Sequence, residues 1–515
     1  MVPRRTQSGD YELADYTTDS DDFDLDGADF QAARPITTSY SSNHTIGDRI
    51  RSFISILPRR RIRRRTYQQL PHAQDSRKGR SRRRRKCLFW LYLGLGVVTA
   101  IILLDSIFNP SYTQLPEHYR QLQEGAAISD KDGPANPHQL KVFIAASLYD
   151  KDGQLLRGAW GNAVLELIAL LGKRNVFLSV YENDSNEAAA VALAAFKDDV
   201  PCRHSLVHDK DFIMEDVRHV ELPDGSRRVK RISFLAEVRN KALQPLEDEA
   251  ADIQFDKILY LNDVIFKPIE AVQLLLSTNR GKDGTASYRA ACAVDFINPF
   301  KFYDTFASRD AEGFGMGVPF FPWFTSSGEG ISRHDVLLGK DAVRVKSCWG
   351  GMVAFDASPF QAASPLRFRA SEDLYWDASE CCLIHADLVS NDTAKEDRDH
   401  GIYMNPYVRV AYSERTLYWL QYTRRFEKLY AWPHSIINGL VGLPWFNPRR
   451  AERAGSKVDE RVWVPNSNLD TGGSFQMQEK NAKGDGFCGR RGLQLLKEGV
   501  REGEKNWEDM PVPSS

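Results

Sequence analysis

The sequence predicts an α/β domain with a mostly parallel sheet, carried on a single N-terminal membrane-crossing helix. Two observations predict it. Short apolar, β-rich runs alternate with helix-patterned segments from residue 140 onward, and an uncharged stretch at 87–104 follows directly on a block of cations.

The chain has 515 residues, 42% hydrophobic and 27% charged, enough to bury a core and too apolar for global disorder. Its formal charge of -1 averages very different regions. Residues 1–48 hold ten acids against three bases, and residues 49–86 hold sixteen bases against one acid, Asp75. The remainder is acidic, so a globally basic nucleic-acid binder is excluded and the basic block needs a local explanation.

Residues 87–104, CLFWLYLGLGVVTAIILL, carry no charge, and the apolar run extends to Phe108. About 20 helical residues at ~1.5 Å each cross a ~30 Å hydrocarbon core. RRRRK at 82–86 precedes the run and nothing comparable follows it, which places the N-terminus in the cytosol and everything after residue 105 on the lumenal side. A buried core helix is rarely uncharged on every face, and a cleaved leader would not lie behind 86 polar residues. The expected organisation is a disordered cytosolic tail at 1–86, acidic then basic, and a type II signal-anchor helix at 87–108. A stem at 109–139, a globular domain at 140–450 and a polar extension at 451–515 follow. The extension is expected to be loose apart from GDGFCGRRGLQLL at 484–496. Cations at 59–65 and 77–86, beside a span, hold lipid headgroups and set topology.

Six cysteines follow the span: Cys202, Cys292, Cys348, Cys381, Cys382 and Cys488. An oxidising compartment permits disulfides, and six thiols allow fifteen complete pairings among which sequence does not choose. Lumenal sequons at Asn183 and Asn391 are candidate glycosylation sites wherever they are exposed.

Within the domain, KVFIAAS at 141–147 suits a buried parallel strand, 159–171 a helix closed by Gly172, and NVFLSVY at 175–181 a second strand. Residues 233–243 are helical in pattern, and FDKILYL at 255–261 is another buried strand. Ligands of such sheets sit beyond the carboxyl ends of strands. There stand Asn262 and Asp263, between apolar neighbours. A carboxylate in that position is costly unless paired. Mg²⁺ or Mn²⁺ bound to a diphosphate is a fitting partner, whereas an ordinary strand-end turn is the plain alternative.

Arg239-Asn240 on the preceding helix, the acidic strand end, the glycine pair in SCWGGM at 347–352, Glu372-Asp373, and His385 in CCLIHADL occur in an order that resembles glycosyltransferases of the GT-A fold. The phrases YLNDVIF, RAACAVDF, FYDTFASRDAEG, CWGGMVAFDA, FRASEDLYWDASECCLIHADL and FCGRR narrow it: they resemble the fungal cryptococcal-type α-1,3-mannosyltransferase family, glycosyltransferase family 69, which also holds capsule-associated proteins. That resemblance covers about 141–412 with a small piece near Cys488. It implies a GT-A-like nucleotide-sugar-binding domain and a Golgi type II enzyme with GDP-mannose as donor and a mannoside or oligosaccharide as acceptor. It further implies an α-1,3 linkage made with retention, Mn²⁺ (or Mg²⁺) as cofactor, other glycosyltransferases as admissible complex partners, and no nucleic acid.

By the same resemblance Asp263 and His385 are metal ligands, and Arg239, Asn240 and Asn262 donor contacts; Asp295, a second strand-end acid, is a candidate for donor-sugar contact, with a structural role as the alternative. Asn262 departs from the acid that many relatives carry. Glu372 and Asp373 are the catalytic candidates. Asp373 could act as a base, hold an acceptor hydroxyl, or, if retention runs through two steps, attack as a nucleophile. Trp349, Gly350, Gly351 and Trp323, the last in the aromatic loop GFGMGVPFFPWF, are acceptor-side candidates, with core packing as the alternative for the aromatics. A non-catalytic glycan-binding or assembly subunit, and a transferase using another nucleotide sugar, are the competing functions.

Overall fold

The structure is a computed structural model that describes residues 76–129, 131–183, 186–210, 214–389, 399–466, 472–497 and 506–513. The acidic tail therefore lies outside the described residues. The chain divides into two compact units, Met1–Ile101 and Ile102–Ser515. Helix α1 (Ser76–Phe108) runs through the division, and its part Leu88–Phe108 has mean hydropathy 2.1 with none of its apolar window buried. This is the one described helix long and apolar enough to cross a membrane.

The second unit is built on a nine-stranded sheet. Its strands are β1 (Val142–Leu148), β2 (Val176–Asn183), β3 (Arg203–Asp209), β4 (Lys257–Leu261), β5 (Ala290–Phe296), β6 (Arg309–Asp310), β7 (Val343–Ser347), β8 (Met352–Asp356) and β9 (Ile402–Ala411), in the order β3-β2-β1-β4-β8-β5-β9-β7-β6. Only β7 and β8 run against the rest, so the expected mostly parallel α/β sheet is what forms. Helices α2 (Glu117–Ile128), α3 (Ala159–Leu171), α4 (Glu187–Asp199), α5 (Arg231–Leu243), α6 (Pro268–Ser277), α7 (Glu380–Val389), α8 (Glu414–Thr423) and α9 (Ala431–Val441) accompany it.

The apolar runs read as strands are continuous because both sheet faces are covered. In β1, Phe143 and Ala145 enter one core with Phe177, Tyr260 and Phe355, while Val142, Ile144 and Ala146 enter the other with Leu178, Leu259 and the α3 face. Helix α3 has the bounds its pattern predicts, because Gly172, at φ +90°, closes the last turn through its N–H to Ile168.

Two expectations change. The segment expected as a polar stem carries α2, whose Tyr119 is buried and bonded to Asp341 and Asn405, with Leu122 and Ala126 packed against the core beside it. The extension expected to be loose contains an antiparallel hairpin, Lys457–Pro465 with Gly473–Asn481. Its strands pair cross-strand and tie into the domain through the ion pairs Lys480–Asp373 and Glu460–Arg449, a driving force that composition alone does not display. The fold completes none of the fifteen full pairings: it makes two bridges, Cys292–Cys348 and Cys382–Cys488, and leaves Cys202 and Cys381 as buried thiols.

Candidate functional site

From β1 the chain steps outward through β2 and β3, then returns to place β4 on the other side of β1. The order thus reverses between β1 and β4, and the crevice beyond their carboxyl ends is where such sheets bind ligands. Tyr149 and Asp150 follow β1, and Asn262 and Asp263 follow β4. The two ends are tied by Tyr260, whose hydroxyl donates to Ser147 Oγ at 3.0 Å.

Asn262 is fixed by three neighbours. Its amide oxygen accepts from Arg239 Nη1 at 3.2 Å and from Trp349 Nε1 at 3.1 Å, and its carbonyl accepts from Trp160 Nε1 at 2.9 Å. Arg239 also donates through Nε to Glu380 Oε1 at 3.0 Å and lies over the Trp349 ring at 4.5 Å. α5 supplies Arg239 and the start of α7 supplies Glu380, so the cluster joins two helices to the strand end. Asn240, expected at the donor, clamps the backbone of Phe368 with both ends of its amide, at 2.8 and 2.9 Å. It holds the loop 366–369 and is not free to reach a ligand.

Asp263 is half-buried, and among the described residues no side chain donates to it. Burial pushes its carboxyl above the ordinary carboxylate range; Arg239 pulls it down and the charge of Asp150 pushes it up. An unpaired, desolvated carboxylate facing a second acid fits a divalent cation, which needs hard oxygen ligands and removes the repulsion. Asp150 already accepts from the backbone of Leu155 and Leu156 at 2.9 and 3.0 Å, and the Asn262 amide oxygen is occupied, so Asp263, bonded by its own backbone N–H alone, is the carboxylate of this set with no side-chain donor among the described residues.

A second acidic set borders it. Asp295, buried at the end of β5, accepts from the Asp304 N–H at 3.1 Å and from the Tyr412 hydroxyl at 3.2 Å. Burial, then the charge of Asp304, pushes its carboxyl up to about 8. The Tyr412 hydroxyl is raised by burial and by the charges of Asp295, which it bonds, and of Asp263. Gly350 and Gly351, at φ +58° and +66°, make the turn beneath. A Cβ on Gly350 would stand 2.0 Å from Ala293 O, and one on Gly351 2.6 Å from a Val264 methyl. Their N–H and C=O serve Asp304 and Asn262, at 3.2 and 2.9 Å. The turn therefore holds the acids and is not itself an open acceptor surface.

Three expected residues are placed elsewhere. Asp373 is bound by Arg449 at 2.7 Å and Lys480 at 2.9 Å, and these outweigh its burial to hold its carboxyl below the usual range. Exposed Glu372 pairs with Lys483 at 2.9 Å. Asp373 edges a cleft of about 200 Å³ walled by Trp376, Arg449, Arg461 and Trp463, and no contact among the described residues joins it or Glu372 to Asp263. Buried Lys230, at the start of α5, ties this loop to the helix that carries Arg239 by donating to Asp373 O at 3.0 Å and Trp376 O at 3.2 Å. His385 is 0% exposed, with a ring nitrogen within 4.8 Å of both sulfurs of the Cys292–Cys348 bridge; burial lowers it to about 4. The inward face of α7 sends it into the core, and no contact joins it to Asp263.

The expected acceptor aromatics are core residues. Trp349 is 3% exposed and Trp323 0%, the latter packed on Phe296, Phe302 and Phe321, so neither offers a ring face to a sugar. Asn183 ends β2 almost fully buried, contrary to the exposure a glycan needs, and Asn391 lies outside the described residues. Asp150, Asp304, Glu380 and Tyr412 were not foreseen. The strand-end rule would have found Asp150 and Tyr412, which directly follow β1 and β9.

Residues 141–387 match the family described as Cryptococcal mannosyltransferase 1. No curated protein sequence matches the chain. Among solved structures, a mannosyltransferase from Pyrobaculum calidifontis in complex with GDP-Man and Mn²⁺ is 12% identical, with TM-score 0.30, covering 69% of this chain and 88% of its own. Mannosyl-3-phosphoglycerate synthase from Rubrobacter xylanophilus is also 12% identical, with TM-score 0.28, covering 72% and 93%.

Proposed function

We propose that this chain, whose residues 141–387 belong to the cryptococcal mannosyltransferase family, is a single-pass type II Golgi enzyme that transfers mannose from GDP-mannose to a mannoside, forming an α-1,3 linkage with retention. The observation that carries the site is Asp263, an open, desolvated carboxylate at the switch point of the sheet, beside the Arg239–Asn262–Trp349 cluster.

In this reading Asp263 holds Mn²⁺ or Mg²⁺. When bound, the ion supplies charge neutralisation to the departing diphosphate. Arg239, fixed by Glu380 and Trp349, adds a positive charge on the same side. The Asp295–Tyr412 pair lies where the donor sugar or the incoming hydroxyl would stand, and Asp295, protonated more readily than an ordinary acid, can donate a hydrogen bond there. Asp373, clamped by two cations, orders the loop 371–377 and so acts as a positioning residue; this replaces the base or nucleophile role expected of it.

The occupied amide of Asn262 leaves one open carboxylate, and that favours, as second reading, a non-catalytic glycan-binding subunit. The full chain in detergent, given GDP-mannose and an α-mannobiose acceptor with Mn²⁺ or chelator, separates the two. Metal-dependent mannose addition that Asp263→Ala abolishes is the expected result. Donor binding without product under every acceptor tried would favour the subunit, and binding of another nucleotide sugar alone would reject the donor.

A further inference from the structure

Helices α8 and α9 carry an apolar face that no described residue covers. On α9, Trp432, Ile436 and Leu440 recur every fourth residue and are 81%, 54% and 80% exposed, while His434 and Asn438 on the opposite side are buried. On α8, Tyr418, Trp419 and Tyr422 stand outward and in ring contact with one another, while Thr416, Leu420 and Thr423 turn inward. Beyond α9, Phe446 is 90% exposed. Single exposed hydrophobes are ordinary; two helix faces of them mark an interaction surface.

The place of that surface names its occupant. The apolar span ends at Phe108. Asn109, the next residue, accepts from Lys428 Nζ at 2.9 Å. The Ser111 N–H donates to the Arg424 carbonyl at 3.1 Å, and Arg424 Nη1 donates to the Tyr112 carbonyl at 3.2 Å. The segment 424–428, between the end of α8 and the start of α9, is thereby fastened to the point where the chain leaves the span. Tryptophan and tyrosine prefer the level of the headgroups, and exposed Arg415 and Arg425 suit their phosphates. Glu427, the acid of the connecting segment, is turned inward onto Arg409.

We propose that α8, α9 and Phe446 lie in the bilayer interface as a second membrane contact of the lumenal domain, with Trp432, Ile436 and Leu440 among the lipid headgroups. The proposal rests on Leu88–Phe108 being a bilayer span.

The test uses the full chain in vesicles of phosphatidylcholine and phosphatidylinositol, with a photo-reactive phenylalanine analogue replacing Ile436. The same analogue at Met477, exposed on the Gly473–Asn481 strand, is the control. Lipid cross-linking roughly five-fold above the control is expected, falling to the control level when Trp432→Glu and Leu440→Glu remove buried apolar area. Equal yields at both positions, or cross-linking to a second copy of the chain, would overturn the proposal. Alkaline carbonate extraction separates the failures: a chain that leaves the membrane rejects the span and the proposal together, and a retained chain with equal yields rejects the proposal alone.

Discussion

The guanidinium of Arg239 lies 4.5 Å over the ring of Trp349, and both side chains donate to the same amide oxygen of Asn262. A residue that sequence placed at the acceptor thus packs behind the Arg239–Asn262 pair. It holds Arg239 in place by cation–π contact and fixes the orientation of the amide next to Asp263.

Trp349→Phe keeps an aromatic face for Arg239 and deletes the donor to Asn262. We expect a stability loss of about 1 kcal/mol by chemical denaturation and weaker donor binding. Trp349→Ala also opens a cavity, and its loss is about 3–5 kcal/mol. A donor affinity unchanged in the Phe variant would show that Asn262 needs no such fixing.

Asp263→Asn sets stability against activity. Burial raises this carboxyl, so the folded protein binds its proton more tightly than the unfolded chain does, and the ionised form opposes folding at neutral pH. The Asn variant should therefore melt at a higher temperature than the parent at pH 7 in chelator, with transfer lost. A lower melting temperature would mean that the carboxylate has a partner.

Asp373→Asn loosens the strands 457–465 and 473–481 by removing the carboxylate that binds Arg449 and Lys480, which leaves both cations to Glu460 alone. Because the folded pKa of Asp373 is depressed, its stabilisation is present above the unfolded value of about 3.9 and is lost as pH falls through the folded one. The variant should be less stable at pH 7 by about 1–3 kcal/mol and no different from the parent at the most acidic pH. Faster proteolysis of the hairpin together with reduced turnover would support a positioning role. Reduced turnover with an unchanged hairpin would restore a direct one.

Cys488→Ser opens a bridge between residues 106 apart in sequence. A cost of about 2–5 kcal/mol is expected, read as lower thermal stability and faster amide exchange over 486–496. Unchanged exchange there would mean that Arg309, which donates to the Phe487 and Cys488 carbonyls at 2.8 and 3.1 Å, suffices to hold the segment.

Replacing the cations at 82–86 by acids should disturb insertion, because the cations retained on the cytosolic side set orientation. Protease protection of the domain in sealed vesicles reads it, and full protection in the variant would contradict the type II topology.

The sequence alone determined the long apolar helix, the strands β1, β2 and β4 with the helices α3 and α5 between them, and the strand-end position of Asp263. Each is a local property: an uncharged run, a period, a residue following an apolar stretch. The tertiary structure decided what those residues face. Trp349, Trp323 and His385 have no local mark that separates a core side chain from a ligand contact, and only packing turns them inward. Asp373 looked catalytic until Arg449 and Lys480, 76 and 107 residues away in sequence, closed on it. Asp150, Asp263, Asp295 and Tyr412 come from four strand ends, and only the sheet order sets them about one crevice. Local pattern determines which element forms; long-range pairing determines which carboxylate stays open.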